Sequence, residues 1–176
     1  PSGGASPPRS SGRPVARDPG KPGDWGKLGV QSLAKEELRA LIGERWRGNF
    51  NELVGLEFID GGEGFAKLRL PIRPQILQPW GTIHGGALAT LLDVTGGVGA
   101  HLSYPRGTRL VTLEMKINYI APLGEGALIA QSEMLHRGRR TTVWNVQAVD
   151  EAERRLRAIA TMTYMVISDG AEGFPG

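Results

Sequence analysis

Apolar residues recur every three or four positions in the first patterned stretch, which begins at Ser32 and ends at Trp46. This spacing places Leu38, Leu41, Ile42 and Trp46 on one face of an α-helix, and serine is a favoured N-cap residue. The sequence therefore predicts an amphipathic helix that starts at Ser32.

The next two apolar stretches have the period of β-strands. Residues 53–60 and 64–70 are short, and the second alternates apolar with charged side chains, which is typical of a half-buried strand. We expect a hairpin joined through Gly61 and Gly62. Residues 71–83 contain three prolines, which predict an irregular connection because proline fixes φ and has no N–H to donate.

A long apolar segment without proline follows. Residues 84–102 distribute their apolar side chains around the whole circumference of a helix, and such a helix is normally buried. Four alternating segments then predict strands at 109–120, 127–136, 141–150 and 156–167. In the first of these strands the alternation puts one set of apolar side chains on a common face, namely Val111, Leu113, Met115, Ile117 and Tyr119.

This order of elements predicts an α+β domain, in which an antiparallel β-sheet wraps around a central buried α-helix. We expect the domain to cover residues 28–168. Residues 1–27 contain six of the 12 prolines and few large apolar side chains, which favours a disordered arm, with a functional basic tail as the alternative. Residues 169–176 are expected to form a flexible C-terminal tail.

The net charge of +3 is confined to residues 1–27, which hold five basic and two acidic side chains. The rest of the chain, residues 28–176, is formally neutral, so we expect no nucleic-acid partner. No apolar run reaches the ~20 residues that span a bilayer, so we expect no membrane association. Cysteine is absent, which excludes thiolate chemistry and fits a reducing compartment, so we expect a cytoplasmic protein.

One carboxylate, Asp93, interrupts the apolar helix. An ionised aspartate in such a place is costly unless it is paired, hydrogen-bonded or functional. A neighbouring strand that satisfies the carboxylate would make it structural. The alternative, a functional carboxylate, is favoured by the turn that precedes the helix.

That turn is polar and glycine-rich, and it consists of Gln78, Gly81, His84, Gly85 and Gly86. The last two glycines lie at the predicted helix N-terminus, where N–H groups lack intrahelical partners and the dipole favours negative charge. They are placed to polarise a substrate carbonyl, as an oxyanion hole does. The alternative is a tight turn that needs positive φ.

Other catalytic motifs are missing from the sequence. There is no P-loop, no dinucleotide-binding glycine motif after a strand, and no GxSxG nucleophile elbow. The three histidines, His84, His101 and His136, do not have the spacing of metal ligands. We therefore expect neither a metal nor another cofactor.

The spacing of Gly85 and Asp93 has a consequence for assembly. Asp93 follows Gly85 by eight residues, or ~12 Å along a helix, whereas a general base acts at ~3 Å from its target. Both groups serve one reaction only if Asp93 comes from a second copy whose helix runs antiparallel. The chemistry thus predicts a two-fold dimer.

At these residues the sequence resembles the hotdog-fold acyl-CoA thioesterases, of the phenylacetate-pathway and 4-hydroxybenzoyl-CoA type. The resemblance covers residues 50–167 and is centred on Gln78, the run His84-Gly85-Gly86, and Asp93. It implies a hotdog fold, an acyl-CoA substrate and no cofactor. It also implies a homodimer at minimum and a homotetramer built as a dimer of dimers.

The resemblance assigns roles to five residues. Gln78 orients substrate or water, the Gly85 N–H polarises the thioester carbonyl, and Asp93 of the partner subunit is the general base or nucleophile. His84 helps to position the thioester or, alternatively, braces the turn by hydrogen bonding. Thr112 corresponds to a water-orienting Ser or Thr in some members, and the alternative is an ordinary outward strand threonine.

The implied CoA-binding positions are Gly86 and a basic turn formed by Arg137, Gly138, Arg139 and Arg140. Arginine suits phosphate because its guanidinium donates two parallel hydrogen bonds. A solvated surface is the alternative for this turn.

The sequence departs from the family at Gly97, where several relatives carry Ser or Thr. Together with Gly96 and Gly99, this glycine indicates either close helix packing or room for a substrate arm.

These observations lead to one principal hypothesis, the hydrolysis of an acyl-CoA thioester to a free acid and CoA. A hotdog dehydratase or hydratase that uses His84 and Asp93 as an acid/base pair is the enzymatic alternative. A noncatalytic acyl-CoA binding module is the alternative from a different class.

Overall fold

The computed structural model describes residues 33–105 and 108–167. The predicted arm (1–27), the predicted C-terminal tail (169–176) and Ser32 lie outside the described residues. Helix α1 spans Lys35–Trp46 with Ala34 as its N-cap residue. The N–H of Ala34 donates to Oε2 of Glu37 at 3.0 Å, so a glutamate in the first turn satisfies the helix start. The prediction of Ser32 as the N-cap is therefore wrong.

A second short helix, α2, spans Phe50–Val54, so the first two residues of the strand predicted at 53–60 are helical. The Asn49 side chain accepts a hydrogen bond from the Asn51 N–H at 2.9 Å and caps this helix. Gly55 ends it with φ 88°, a left-handed conformation that glycine adopts without strain. Local capping residues thus override the apolar pattern here.

Strands β1 (Glu57–Gly62) and β2 (Phe65–Pro71) form the predicted antiparallel hairpin. Its turn does not lie at Gly61 and Gly62, since Gly62 still pairs with Phe65 in the ladder. Gly64, with φ 85°, provides the turn conformation instead. The predicted irregular connection after β2 contains one 3₁₀ turn at Pro74–Ile76.

The remaining elements match the predicted order and lie within a few residues of the predicted bounds. They are α3 (Gly85–Ser103), β3 (Arg109–Tyr119), β4 (Ala127–Arg137), β5 (Thr141–Asp150) and β6 (Leu156–Ile167). The six strands form one antiparallel sheet with the order β1-β2-β4-β5-β6-β3. Helix α3 contacts all six strands, which confirms the predicted hotdog architecture.

Glycines in α3 allow the helix to approach the sheet closely. A Cβ atom at Gly99 would lie 2.7 Å from both Ser132 Oγ and Trp144 Cζ3, which is closer than real Cβ contacts. Gly96 is similarly close to Tyr164. At Gly97 the nearest atoms would be 3.9 Å away, an ordinary contact. Close packing therefore explains Gly96 and Gly99 but not Gly97.

One side of α3 is not covered by the sheet. Leu91, Leu92 and Ala100 are fully buried, whereas Asp93 and Gly97 are only partly buried. Helix α3 is thus buried against the sheet, as predicted, while its opposite side is partly exposed in the single chain because one sheet covers one face of a helix. Within the described residues, no helix is long and apolar enough to cross a membrane.

Strand β3 differs from its predicted alternation because it contains a bulge. Its pairing with β6 shifts register between Thr112 and Glu114, so Leu113 is an extra residue and is exposed. A bulge changes which side chains share a face of the sheet. As a result Thr112 pairs with Tyr164, a core residue of β6, and the predicted common apolar face from Val111 to Tyr119 is interrupted.

Candidate active site

The polar turn before α3 is a tight hairpin. Gly81 donates its N–H to the Gln78 carbonyl at 2.9 Å, and the Gln78 N–H donates to the Thr82 carbonyl at 2.8 Å. Pro79 follows Gln78, and proline is favoured at the second position of such turns. Gly81 has φ 78°, and its left-handed conformation favours glycine. The Gln78 Nε2 donates to Thr82 Oγ1 at 2.6 Å, so this amide braces the turn.

Two backbone bonds fix the end of this hairpin against the rest of the fold. The Ile83 N–H donates to the Leu123 carbonyl, and the His84 N–H donates to the Ile76 carbonyl, both at 2.8 Å. The chain therefore enters α3 from a defined position.

His84 is the N-cap residue of α3, and its Nδ1 accepts a hydrogen bond from the Gly86 N–H at 2.9 Å. The tyrosine hydroxyl of Tyr119 donates to the Gly85 carbonyl at 3.1 Å. The Gly85 N–H, at the first position of the helix, forms no hydrogen bond with a described residue. The first turn of α3 thus presents one unpaired donor, at the position where the helix dipole is positive.

The Asp93 side chain has a hydroxyl partner from the sheet. Thr112 Oγ1 donates to Asp93 Oδ1 at 2.9 Å. The Tyr164 hydroxyl donates to the backbone carbonyl of Asp93 at 2.9 Å. Burial, followed by the negative charge of Asp93, raises the pKa of Tyr164 far above its ordinary value, so this tyrosine is a neutral donor. The carboxylate is therefore held in place on the partly exposed side of α3.

The predicted site residues fall into three separate groups within one chain. Gln78, His84, Gly85 and Gly86 lie together at the start of α3. Asp93 and Thr112 are in contact near its middle, and the basic turn forms the third group. Because α3 is continuous from Gly85 to Ser103, Gly85 and Asp93 are ~12 Å apart along the helix. One chain does not bring these two groups together.

The basic turn lies at the opposite end of α3. The Tyr104 hydroxyl donates to the Gly138 carbonyl at 2.8 Å, which ties the turn to the helix C-terminus, ~27 Å from Gly85 along the axis. Arg137 forms an ion pair with Glu63 at 2.6 Å and lies over the Tyr104 ring. Arg139 and Arg140 are exposed and have no ion-pair partner among the described residues.

Two tyrosines contact the candidate residues without having been singled out in the sequence. Tyr119 belonged to the predicted apolar face of its strand, and Tyr164 lies in the last strand. Their hydroxyl groups need hydrogen-bond partners wherever the rings pack against a core, which is the signal available in the sequence. It does not specify which carbonyl each hydroxyl contacts. Among residues 33–105 and 108–167, no cluster of three or more potential metal ligands occurs.

Comparison with known proteins identifies relatives in one protein family. The sequence profile of the thioesterase superfamily matches residues 81–156. A 1,4-dihydroxy-2-naphthoyl-CoA hydrolase from Listeria monocytogenes is 30% identical over 105 residues, which cover 60% of this chain and 85% of the relative. The proofreading thioesterase EntH from Cronobacter turicensis is 28% identical over 108 residues, which cover 61% and 79% of the two chains.

Among solved structures, a mutant of the phenylacetic acid degradation protein PaaI from Thermus thermophilus is 29% identical. It has a TM-score of 0.62 and covers 67% of this chain and 98% of its own. The chain therefore belongs to the thioesterase superfamily, with the hotdog fold of that class. As a member of this family it is a thioester hydrolase.

Proposed function

We propose that the protein hydrolyses acyl-CoA thioesters at a site shared by two chains. One chain supplies the Gly85 N–H, which polarises the thioester carbonyl, and its partner supplies the Asp93 carboxylate. The observation that carries this proposal is the contact between Thr112 and Asp93 on the partly exposed side of α3. It gives a positioned carboxylate, on the same helix as the unpaired N–H of Gly85 but ~12 Å away from it.

Features of β3 support a second copy. This 11-residue strand lies at one end of the strand order, and a long unpaired strand edge is normally covered in native proteins. Large apolar side chains are exposed along it and just beyond, with Leu113 at 54%, Tyr119 at 55% and Ile120 at 52%. A two-fold partner placed against β3 and the open side of α3 would cover both surfaces, and a tetramer would be a dimer of such dimers.

Antiparallel packing of two α3 helices would bring the separated groups of the two chains together. If Asp93 of the partner subunit lies beside Gly85, the partner's helix continues for ten residues to its Ser103, or ~15 Å past the carbonyl site. The partner's basic turn lies at that end. An extended pantetheine arm is long enough to bridge this distance, which would bring the CoA phosphates to Arg139 and Arg140.

The residues then perform an addition and elimination at the carbonyl carbon. Asp93 takes a proton from water as the water oxygen bonds to the carbonyl carbon, and the Gly85 N–H stabilises the resulting oxyanion. The C–S bond then breaks, which releases the acid and the CoA thiolate. Thr112 holds the carboxylate, and Gln78 lies beside the turn where it would orient substrate. In a covalent variant an Asp93 oxygen attacks the carbonyl carbon, the C–S bond breaks to release the CoA thiolate, and water then hydrolyses the mixed anhydride to the free acid and the Asp93 carboxylate.

The relatives support CoA as the carrier of the acyl group, since the Listeria protein is named a CoA hydrolase. His84 accepts the Gly86 N–H through Nδ1, so its Nε2 remains as the ring atom that would face a thioester.

A panel of acyl-CoA substrates with a free-thiol reagent tests the proposal. Wild-type protein should release thiol, and Asp93→Asn should lower kcat by at least ~10², in keeping with the loss of a general base. Asp60→Asn is the matched control, because Asp60 is a half-exposed partner of Lys35 on β1, at the opposite end of the strand order from β3 and Thr112. Its activity should equal that of the wild type.

Other outcomes would contradict the proposal. Binding of CoA esters without thiol release at any chain length would favour a noncatalytic module. Hydration of an enoyl thioester without thiol release would favour a hydratase. Equal activity of Asp93→Asn and wild type would remove Asp93 from the mechanism.

A further inference from the structure

The unpaired Gly85 N–H lies at the start of α3, where two glycines begin the helix. Gly85 and Gly86 are consecutive, and glycine has the largest conformational freedom of any residue. A donor that stabilises a developing oxyanion acts through preorganisation, because it pays no reorganisation cost during the reaction. The peptide unit that carries this N–H is held on its His84 side, because the His84 carbonyl accepts the N–H groups of Ala87 and Leu88. Its orientation also depends on the φ and ψ angles of Gly85, and therefore on the peptide unit that follows.

The next peptide unit, between Gly85 and Gly86, is held by hydrogen bonds at both its N–H and its carbonyl. Its N–H donates to Nδ1 of His84 at 2.9 Å, and its carbonyl accepts from the Tyr119 hydroxyl at 3.1 Å. In a regular helix this carbonyl already accepts the N–H four residues later, so the tyrosine provides a second bond to the same oxygen. Such a bond is not needed to satisfy the backbone.

The ring of Tyr119 also lies against Gly85. A Cβ atom at Gly85 would be 3.7–3.8 Å from the ring carbons and hydroxyl of Tyr119, so the ring is in van der Waals range of the glycine. Tyr119 is the last residue of β3, and the Ile120 and Ala121 N–H groups that follow it both bond to the Arg157 carbonyl. The tyrosine is thus anchored in the sheet, while its hydroxyl reaches the helix start.

We infer that Tyr119 is a positioning residue for the carbonyl-polarising N–H of Gly85. It acts through the Gly85 carbonyl, not by contact with the reacting atoms. The inference rests on the proposed function, because it gives Tyr119 a role only if Gly85 binds the oxyanion. It predicts a defect in the chemical step and not in substrate binding.

Tyr119→Phe is the direct test, since it keeps the ring and removes only the hydroxyl. We expect kcat to fall by about tenfold, less than the ~10² or more that follows removal of an oxyanion donor, with KM within about twofold of wild type. Thr90→Val is the matched control, because Thr90 Oγ1 donates to the next carbonyl along, that of Gly86, at 2.9 Å. This control should have wild-type kcat and KM.

Amide hydrogen exchange gives a readout that does not depend on activity. The Gly86 N–H should exchange faster in Tyr119→Phe than in wild type or Thr90→Val, because the peptide unit has lost the hydrogen bond from the Tyr119 hydroxyl. Thermal unfolding of all three proteins shows whether the fold is intact.

The outcomes distinguish this inference from the proposed function. If Asp93→Asn is inactive but Tyr119→Phe has wild-type kcat, the positioning role is wrong and the shared site stands. A raised KM with unchanged kcat would make Tyr119 a substrate contact and would also overturn the inference. An equal fall of kcat in Thr90→Val would show a general sensitivity of the helix start and would overturn it too. A wild-type protein with no hydrolysis would refute the proposed function itself.

Discussion

Thr112 and Asp93 show how a small backbone irregularity creates a pair of functional candidates. In a regular β3 the threonine would share a face with Glu114 and point away from α3. The bulge at Leu113 turns it towards the helix, where its hydroxyl reaches the carboxylate. The hydroxyl gives the carboxylate a defined orientation, and a general base depends on such positioning.

Thr112→Val tests this contact while keeping the shape of the side chain. The carboxylate would lose its neighbour and rotate more freely, so we expect kcat to fall by about tenfold with little change in stability. Steady-state kinetics on the best acyl-CoA substrate measures the effect. A Thr112→Ser variant retains the hydroxyl and should recover most of the activity, and equal losses in both variants would contradict the orienting role.

The sequence shows the candidate residues of this site but not the contacts that the structure gives them. Gln78, His84, Gly85, Gly86 and Asp93 form a motif that local sequence makes visible. The bonds from the Tyr119 and Tyr164 hydroxyls depend on strand order and register, and alternation alone specifies neither. The bulge in β3 adds one residue without a distinctive sequence signal, so the face occupied by Thr112 could not be derived.

The elements were predicted correctly where the periodic pattern was long. The prediction failed where local capping residues determined the structure. Helix α3 and the four strands after it matched closely. Leu53 and Val54 have the composition of a strand, but the Asn49 cap and the left-handed Gly55 enclose them in a helical turn. These short-range signals were present in the sequence, and they outweighed the apolar pattern.

The glycines of α3 give a matched pair of predictions for stability. Gly99→Ala would force a Cβ against Ser132 and Trp144, and overpacking of this kind costs about 1–3 kcal/mol. Gly97→Ala meets nothing closer than 3.9 Å and gains helix propensity, so it should stabilise by about 1 kcal/mol. Urea unfolding measures both free energies. Destabilisation by both variants would contradict the open position assigned to Gly97.

The turn between β5 and β6 depends on one buried carboxylate. Asp150 accepts hydrogen bonds from the Glu153 N–H at 2.5 Å, and from the Arg155 N–H and Arg157 Nε at 3.1 Å each. The Glu153 N–H, followed by Arg157, lowers the pKa of Asp150 below its ordinary 3.8. Arg157 also donates to the Pro122 carbonyl, in the connection that holds Ile83 near the candidate site.

Asp150→Asn should therefore lower the free energy of unfolding in a pH-dependent way. A carboxyl group with a depressed folded-state pKa stabilises the fold above its unfolded pKa, and this contribution is lost as pH falls through the folded value. The deficit of the variant should be full at pH 7 and shrink below pH ~4. Urea unfolding at both pH values measures it, with Asp60→Asn as the surface control. A deficit that is independent of pH would show that charge is not the cause.

The whole molecule has its candidate groups distributed along one helix, with the N–H donor at its start, the carboxylate at its middle and the basic turn beyond its end. These groups are too far apart to form one site within one chain, whereas an antiparallel pair of chains would bring them together. In the proposed dimer the partner would cover the open side of α3 and the exposed edge of β3. A shared site is thus the simplest arrangement that uses all three groups.

Mixed dimers give the sharpest test of the shared site. Asp93→Asn removes the proposed base, and Gly85→Pro removes the N–H proposed to polarise the carbonyl. Proline is favoured at the first position of a helix, and a Cβ at this position makes only ordinary contacts with Tyr119. Each variant alone should be nearly inactive, and circular dichroism and native mass should match those of the wild type.

Random mixing of the two variants makes half of the dimers mixed, and each mixed dimer has one intact site of two. We therefore expect about a quarter of wild-type thiol release after subunit exchange. Native mass spectrometry should confirm the proportion of mixed dimers. If each site were built within one chain, no chain in the mixture would have both groups, and the activity would not rise above that of the separate variants. That result would show that the Gly85 N–H and the partner's Asp93 do not act together.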